Sequence, residues 1–296
     1  MFDFKSVKLS DKVFVEKIMK QSCEKGCEYC FGNLYMWSAI YGNKIAYYND
    51  FLLARDYNEK PMYLYPCGNG NKKEIIERLI DYSMAKDDTK LEMYSLSSES
   101  VEELNTLFPN KFKFEKKRDY FDYLYLTDDL ANLSGKKYHQ KRNHIAYFKK
   151  NNNWSFEKID SSNIDECYDM NKKWVSINRD KNPLELDNEQ IAVKRAFENY
   201  DNLGLLGGLI RANGQVVAYT IGEEINSDVF CTHIEKAYSD VRGAYPIINQ
   251  EFAKNLLQNY KYINREEDTG SEGLRKAKLS YYPAILLEKY NAKYEG

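Results

Sequence analysis

The sequence predicts a mixed α/β protein built as a tandem of two comparable halves, and three observations carry that prediction. Short strand-like runs alternate with amphipathic helical spacing throughout, both halves hold a similar inventory of the two, and 296 residues give a prior of about two domains. Hydrophobic residues at 43% and charged residues at 30% describe a packed globule, because disordered chains pair scarce apolar residues with a large net charge. Forty-three Lys and Arg against 45 Asp and Glu leave a formal charge of -2, so no global positive field draws the chain to nucleic acid or anionic lipid. No run reaches the ~18–20 apolar residues of a membrane span, and Met1-Phe-Asp-Phe-Lys5 lacks the basic and then apolar pattern of a secretory leader. The expected location is the cytoplasm, where the six cysteines are free thiols or ligands and not a disulfide framework.

The first half opens with helical spacing over 11–21 and an aromatic-rich segment over 31–41. Strands follow at 45–48 and 51–55, turning at Asn49-Asp50, with another at 62–65. Ile75, Ile76, Leu79, Ile80 and Met84 mark an amphipathic helix after the Gly68-Asn-Gly70 loop. A strand at 91–96, a helix at 101–108 and strands at 112–115 and 120–126 complete an N-terminal domain over residues 1–130. Residues 131–150 read as a basic linker helix, since Lys136, Lys137, Lys141, Arg142, Lys149 and Lys150 fall in a stretch without a single acid.

Residues 151–296 form the expected C-terminal domain. Helices are predicted around Ile164 to Val175 and over 188–200, then strands at 204–211, 216–223 and 229–237, the first two joined by an Asn213-Gly214 turn. A helix carries Ile248, Phe252, Leu256 and Tyr260, with Pro246 in its first turn. A strand at 262–264, a short helix from Glu272 to about Ser280 and a last strand over 284–290 end the chain.

Three constellations bear on chemistry. Cys23-x-x-x-Cys27-x-Tyr-Cys30 resembles the radical S-adenosylmethionine signature, whose thiolates hold three irons of a four-iron cluster; here it follows a helix and not the first strand of a barrel. Arg242-Gly243-Ala244-Tyr245 sits between a strand and a helix, where free N–H groups and a missing side chain admit a pyrophosphate. Asn264 to Pro283 gathers acids, a Gly270 turn, Arg275 and Lys278 at the end of a sheet.

Four stretches, Glu28 to Trp37, His139 to His144, Tyr238 to Pro246 and Asn264 to Pro283, resemble the C-terminal domain of bacterial phosphatidylglycerol lysyltransferases. That family is a tandem of GNAT-type acyltransferase folds related to the Fem peptidyltransferases. The resemblance implies transfer of an acyl or aminoacyl group to an amine or hydroxyl, with acyl-coenzyme A or aminoacyl-tRNA as donor substrate and no tightly bound cofactor or metal. Two departures stand out: the lysyltransferases carry a membrane flippase domain, and GNAT enzymes usually space the cofactor-loop Arg or Gln three residues from its glycine, whereas Arg242 adjoins Gly243.

Such a transfer needs a base for the attacking group and a donor for the oxyanion. Asp268, Glu235 and His233 are candidate bases, Arg275 and Lys278 candidate oxyanion donors, and Tyr238 or Tyr245 a proton source for the leaving group. Arg242, Gly243, Ala244 and Tyr245 are candidate donor-binding residues; His139, Lys141, Arg142 and Tyr238 are expected to meet substrate, the basic ones through tRNA phosphates. A non-catalytic binding protein keeping the same fold is the alternative, and the iron-sulfur enzyme a third reading.

Overall fold

A computed structural model describes residues 2–22, 24–57, 60–179 and 183–296, the side chains of 183 and 184 excepted. In chain order the described strands are β1 (Lys5–Ser6), β2 (Lys44–Tyr48), β3 (Phe51–Arg55), β4 (Tyr63–Leu64), β5 (Cys67–Gly68), β6 (Glu92–Leu96), β7 (Phe112–Lys116), β8 (Asp122–Leu126), β9 (Trp154–Lys158), β10 (Leu206–Ala212), β11 (Gln215–Asn226), β12 (Val229–Ala237), β13 (Tyr262–Asn264), β14 (Ile285–Leu287) and β15 (Tyr290–Tyr294). They form two mixed sheets, one ordered β1-β2-β3-β4-β6-β15-β7 with β5 on β3, the other β14-β8-β13-β12-β11-β10-β9. No described helix is long and apolar enough to cross a membrane.

The chain divides into two compact units that are not contiguous in sequence. Unit 1 comprises residues 1–123, 266–276 and 286–296; unit 2 comprises 124–265 and 277–285. The basic segment around 131–150 belongs to unit 2, where it forms the helix His139–Asn151, which packs on the helix Ala244–Leu256. The last expected strand, 284–290, is two strands: β14 joins the second sheet, whereas β15 pairs with β6 and β7 of the first. Its break is chemical, since Glu288 and the buried Lys289 interrupt the apolar alternation. Strand β9 is additional to the expected strands, with Trp154 and Phe156 alternating with Ser155 and Glu157.

In unit 1, the hairpin β2–β3 turns through Asn49 and Asp50, both at positive φ, a conformation that short polar side chains tolerate. The helices Lys72–Tyr82 and Ser98–Leu107 lay Ile75, Ile76, Leu79 and Leu104 in one core with Leu53, Tyr63, Met93 and Leu96 of the sheet. Asn71 and Ser97 cap these helices by accepting from the N–H groups of Glu74 and Ser100. The expected helical residue Met84 is instead exposed, because a π-turn over Ser83–Asp87 follows the helix.

The three pieces of unit 1 meet at a buried charge cluster. Lys289 Nζ donates to Asp122 Oδ1 at 2.8 Å, Glu28 Oε1 at 2.7 Å and Cys27 Sγ at 3.4 Å. Cys27 N–H donates to Asp122 Oδ2, and the thiol lies 3.5 Å from both Asp122 Oδ1 and Glu267 Oε2. Burial opposes the charge of Lys289, yet Asp122 and its neighbours hold its pKa well above the usual range. Burial raises Glu267 to about 7. A second knot, around the fully buried Asp268, is described with the site residues below.

In unit 2, the Asn213-Gly214 turn joins β10 to β11 as expected, both residues at positive φ. The register of β11 on β12 shifts at Ile221/Gly222, which pair with Ile234 and Thr232, so His233 is an extra, bulged residue. The bulge reverses the strand's facing parity: Phe230 before it and Glu235 after it both contact the helix Ala244–Leu256, through Phe252 and Asn249. Only glycine fits opposite, since a Cβ on Gly222 would lie 1.9 Å from Cys231 O.

Three outcomes follow for stability. Gly222→Ala forces the bulge to shift, an overpacking cost of about 1–3 kcal/mol, read as a lower urea midpoint at unchanged slope. Lys289→Met strands buried carboxylates and costs about 3–5 kcal/mol in the same measurement; an unaltered midpoint would refute the role given to this cluster. Glu267 binds its proton more tightly folded than unfolded, so its contribution is full below its unfolded pKa and is lost as pH rises towards about 7. Glu267→Gln should flatten the stability profile between about pH 4.5 and pH 7.

Candidate functional site

Among the described residues, the second sheet parts between β12 and β13. β12 and β13 run parallel only from Val229↔Tyr262 to Cys231↔Asn264; β13 then stops, while β12 continues to Ala237. The first residue past β13 is Arg265, and the bulge at His233 aims Glu235 at the same gap. Arg265 Nη2 donates to Glu235 Oε1 at 2.6 Å, and both side chains are nearly buried, at 13% and 12% exposure. Glu235 Oε2 accepts from Asn249 Nδ2 at 3.3 Å. Two buried polar atoms beside this pair have no hydrogen-bond partner among the described residues: Arg265 Nη1, a donor, and Asn249 Oδ1, an acceptor.

The segment Ala277–Ile285 supplies the rest of the wall. Lys278 Nζ donates to Arg265 O, and the Tyr125 hydroxyl donates to Lys278 O at 2.8 Å. The Arg265 guanidinium lies over the rings of Tyr281, at 5.1 Å, and Tyr125, at 5.7 Å. From the helix His139–Asn151, Lys141 donates to Ser280 Oγ at 2.7 Å and sits 3.9 Å over the Tyr281 ring. Burial, reinforced by the charge of Arg265, lowers the Lys141 pKa to about 8, which puts its proton in play near neutrality.

Of the expected catalytic residues, Glu235 and Lys278 thus meet in unit 2, both in contact with Arg265. Asp268 and Arg275 belong to unit 1. Asp268 is fully buried and accepts from Arg275 Nε and Nη2, Arg118 Nη1, the Tyr123 hydroxyl and Gly270 N–H, at 2.9, 2.8, 3.2, 2.5 and 3.0 Å. Burial would raise its pKa, but Arg275, Tyr123 and the Gly270 N–H hold it well below the carboxylate range. A carboxylate so held is a weak proton acceptor, and its geometry is that of an anchor for the 266–276 loop. Arg275 is further tied to Asp119 at 2.7 Å.

Gly243 adopts a positive φ at the N-cap of Ala244–Leu256, and a Cβ there would lie 2.4 Å from His144 O. The absent side chain accommodates the helix His139–Asn151, a packing requirement at the position expected to admit a pyrophosphate. Ala244 is buried, Tyr245 is half-buried, and the Arg242 guanidinium lies 4.2 Å over the ring of Tyr147. Arg142 donates to Leu133 O and Gly135 O at 2.5 and 2.7 Å, closing the end of the helix Thr127–Asn132, whereas His139 is exposed. The Tyr238 hydroxyl reaches Met170 O at 3.5 Å. His233 Nε2 pairs with Glu223 Oε1 at 2.9 Å, and its Nδ1 lies 3.6 Å from Cys231 Sγ, so both ring nitrogens are engaged within the sheet.

Cys23 lies outside the described residues. Cys30 Sγ donates to Cys27 O at 3.0 Å, and burial pushes the Cys27 thiol well up, opposing the thiolate that an iron or zinc ligand requires. The ligand atoms of Cys27, Asp122 and Glu267 are close enough for one cation, but the Lys289 ammonium already supplies positive charge there.

Arg265, Asn249 and Tyr281 escaped the sequence reading. Arg265 and Tyr281 fall inside the Asn264 to Pro283 stretch, but nothing in their spacing shows that β13 ends at Asn264. Asn249 lies in an apolar helical stripe, where only its missing partner distinguishes it.

A conserved protein of unknown function from Bacteroides thetaiotaomicron superposes with a TM-score of 0.96 at 38% identity, over 100% of both chains. The C-terminal domain of a putative lysylphosphatidylglycerol synthetase from Agrobacterium fabrum matches at TM-score 0.70 and 12% identity, over 98% of this chain and 93% of that one. FemX matches at TM-score 0.61 and 9% identity, over 98% and 96%. An uncharacterised protein of Mycoplasmoides gallisepticum is 25% identical over 181 residues, 58% of this chain and 56% of its own length, so the chain spans little more than half of that relative. The architecture is that of tandem GNAT proteins. The model of the phosphatidylglycerol lysyltransferase C-terminal family matches residues 20–293, and the chain belongs to that family.

Proposed function

We propose that this protein is an aminoacyl transferase that moves an aminoacyl group from tRNA to an amine or hydroxyl acceptor, with its site at the parting of β12 and β13. The observation that carries this reading is the pair of unpartnered buried atoms beside Glu235, the donor Arg265 Nη1 and the acceptor Asn249 Oδ1. A buried polar atom without a partner costs about 1–3 kcal/mol, so the pair calls for a ligand that offers an acceptor and a donor together. An aminoacyl ester does: its carbonyl oxygen accepts from Arg265, and its α-ammonium donates to Asn249. A plain acyl thioester satisfies only the first. Family membership and the FemX-like fold support the same chemistry.

In the proposed reaction the acceptor attacks the ester carbonyl carbon, a C–N or C–O bond forms, and the bond to the ribose oxygen breaks. Arg265 Nη1 stabilises the oxyanion, held in place by Glu235, by the aromatic rings beneath it and by the Lys278 bond to its carbonyl. Neutral Lys141 takes the proton released by the acceptor and returns it to the ribose oxygen. Exposed Lys136, His139 and Lys150 meet tRNA phosphates, the role left open once Arg142 is engaged by carbonyls.

The test is a transfer assay with charged tRNAs and a panel of amine and hydroxyl acceptors; no product with any charged tRNA, alongside no thermal shift, favours a binding protein. Arg265→Lys keeps the charge but loses the second arm of the fork, and should lower kcat by about 10²–10³ with little change in melting temperature. The rate should rise with pH through about 8 as Lys141 loses its proton. Lys141→Arg, which stays protonated, should abolish that limb; a profile unmoved by the substitution removes Lys141 from the mechanism.

A further inference from the structure

Lys141 differs from the buried Lys236 and Lys289 in what it holds. Lys236 spends its ammonium on Glu189, at 2.7 and 2.8 Å, and Lys289 on Asp122 and Glu28. Half-buried Lys141 pairs instead with a hydroxyl, Ser280 Oγ at 2.7 Å, over the face of Tyr281. A carboxylate would lock the ammonium, whereas a hydroxyl lets the proton go; burial and the charge of Arg265 push the same way, down to about 8. Ser280 itself sits on a fixed turn. It follows the helix Glu272–Leu279, and N–H bonds from Tyr281 to Lys278 O, at 3.1 Å, and from Tyr282 to Leu279 O, at 3.0 Å, reverse the chain. Tyr282 takes a positive φ of 53°, which a bulky side chain adopts only where its surroundings impose it. The Tyr138 hydroxyl, donating to Tyr281 O at 2.9 Å, is one such constraint. While Lys141 is protonated it donates to Ser280 Oγ, which donates in turn to Ala277 O at 2.6 Å. Once Nζ has lost a proton, its lone pair faces the hydroxyl and the direction of the bond reverses.

We propose that Ser280 is a nucleophile activated by Lys141, and that unit 2 hydrolyses carboxylic esters through a seryl ester intermediate. Ser280 Oγ bonds to the ester carbonyl carbon as its proton passes to Lys141 Nζ. The C–O bond to the alcohol then breaks, and Lys141 returns the proton to the departing oxygen. Water repeats the sequence: it loses a proton to Lys141, attacks the seryl ester and releases the carboxylic acid, and the proton goes back to Ser280 Oγ. Arg265, whose guanidinium lies over the Tyr281 ring and whose Nη1 has no partner among the described residues, is the donor for both oxyanions. A serine with a lysine base is one of the convergent variants of the serine–histidine arrangement. The inference rests on the site proposed above, but neither on tRNA as the donor nor on any acceptor other than water.

The experiment uses the intact protein with p-nitrophenyl acetate and with a fluorophosphonate label. A burst of p-nitrophenolate followed by slower turnover is expected, and peptide mass spectrometry should place the label on Ser280. Ser280→Ala should lose the label and at least about 100-fold in ester hydrolysis. Lys141→Arg, which preserves the cation, should lose both to a similar degree, together with the rise in rate through about pH 8. The position of the label on the native protein decides the matter even where a variant does not fold. No label, a label on another residue, or hydrolysis unmoved by both substitutions would overturn the proposal. Labelled Ser280 without tRNA-dependent transfer defeats only the transferase reading, and transfer with Ser280 unlabelled defeats only this one.

Discussion

The candidate site of unit 2 depends on one topological constraint, the short parallel contact between β12 and β13. Parallel strands that pair over so few residues leave a gap, and a gap in a sheet cannot stay both dry and polar. The chain fills it with charge in place of apolar bulk. Arg265 enters because it is the first residue freed from β13, and Glu235 enters because the bulge at His233 turns it there. A buried guanidinium with one carboxylate is only half satisfied, since its fork offers five N–H donors. The aromatic rings of Tyr125 and Tyr281 take up part of its charge through their faces, and one arm remains without a protein acceptor. That arm is a cost to stability with no structural return, which is the physical reason to treat it as a binding feature.

Most of the architecture was legible from periodicity. The hairpin at Asn49-Asp50, the turn at Asn213-Gly214 and the amphipathic helices with Ile75, Ile76 and Leu79 or Ile248 and Phe252 all follow from local rules that act within a few residues. What escaped is non-local. A strand such as 284–290 looks uniform until Lys289 is known to be buried, and only then does it divide into two strands in different sheets. Bulges are equally silent: His233 reads as one more residue of a regular strand, and the shift that aims Glu235 depends on its pairing with β11.

The candidate site shows the same division. Glu235 and Lys278 were reachable because acids and lysines at the end of a sheet attract notice. Arg265 was not, since its importance lies in where β13 stops. Asp268 illustrates the converse: an acid inside a dense charged motif looks reactive in sequence, but five donors around it make it the least basic kind of carboxylate. Charge density in a motif reports that charges are close; only the count of donors and acceptors tells whether any capacity is left for a substrate.

That accounting also bears on the clusters around Lys289 and Arg265. Around Lys289, cation and carboxylates hold one another across three chain segments, with Glu28 Oε2 left unpartnered, and the sequence distance they bridge is what makes them useful to folding: removing the ammonium would leave several acids without a counter-charge in a dry interior. Around Arg265, partners come from the strand, the helix and the 277–285 segment, yet the hydrogen-bond ledger stays open by one donor and one neighbouring acceptor. A cluster that leaves one acceptor open still serves the fold, whereas one that leaves a donor and an acceptor open together offers both to a ligand. In a tandem of two related folds, an open donor beside an open acceptor is a sharper guide to a candidate site than either the resemblance of the halves or the number of charged residues each contains.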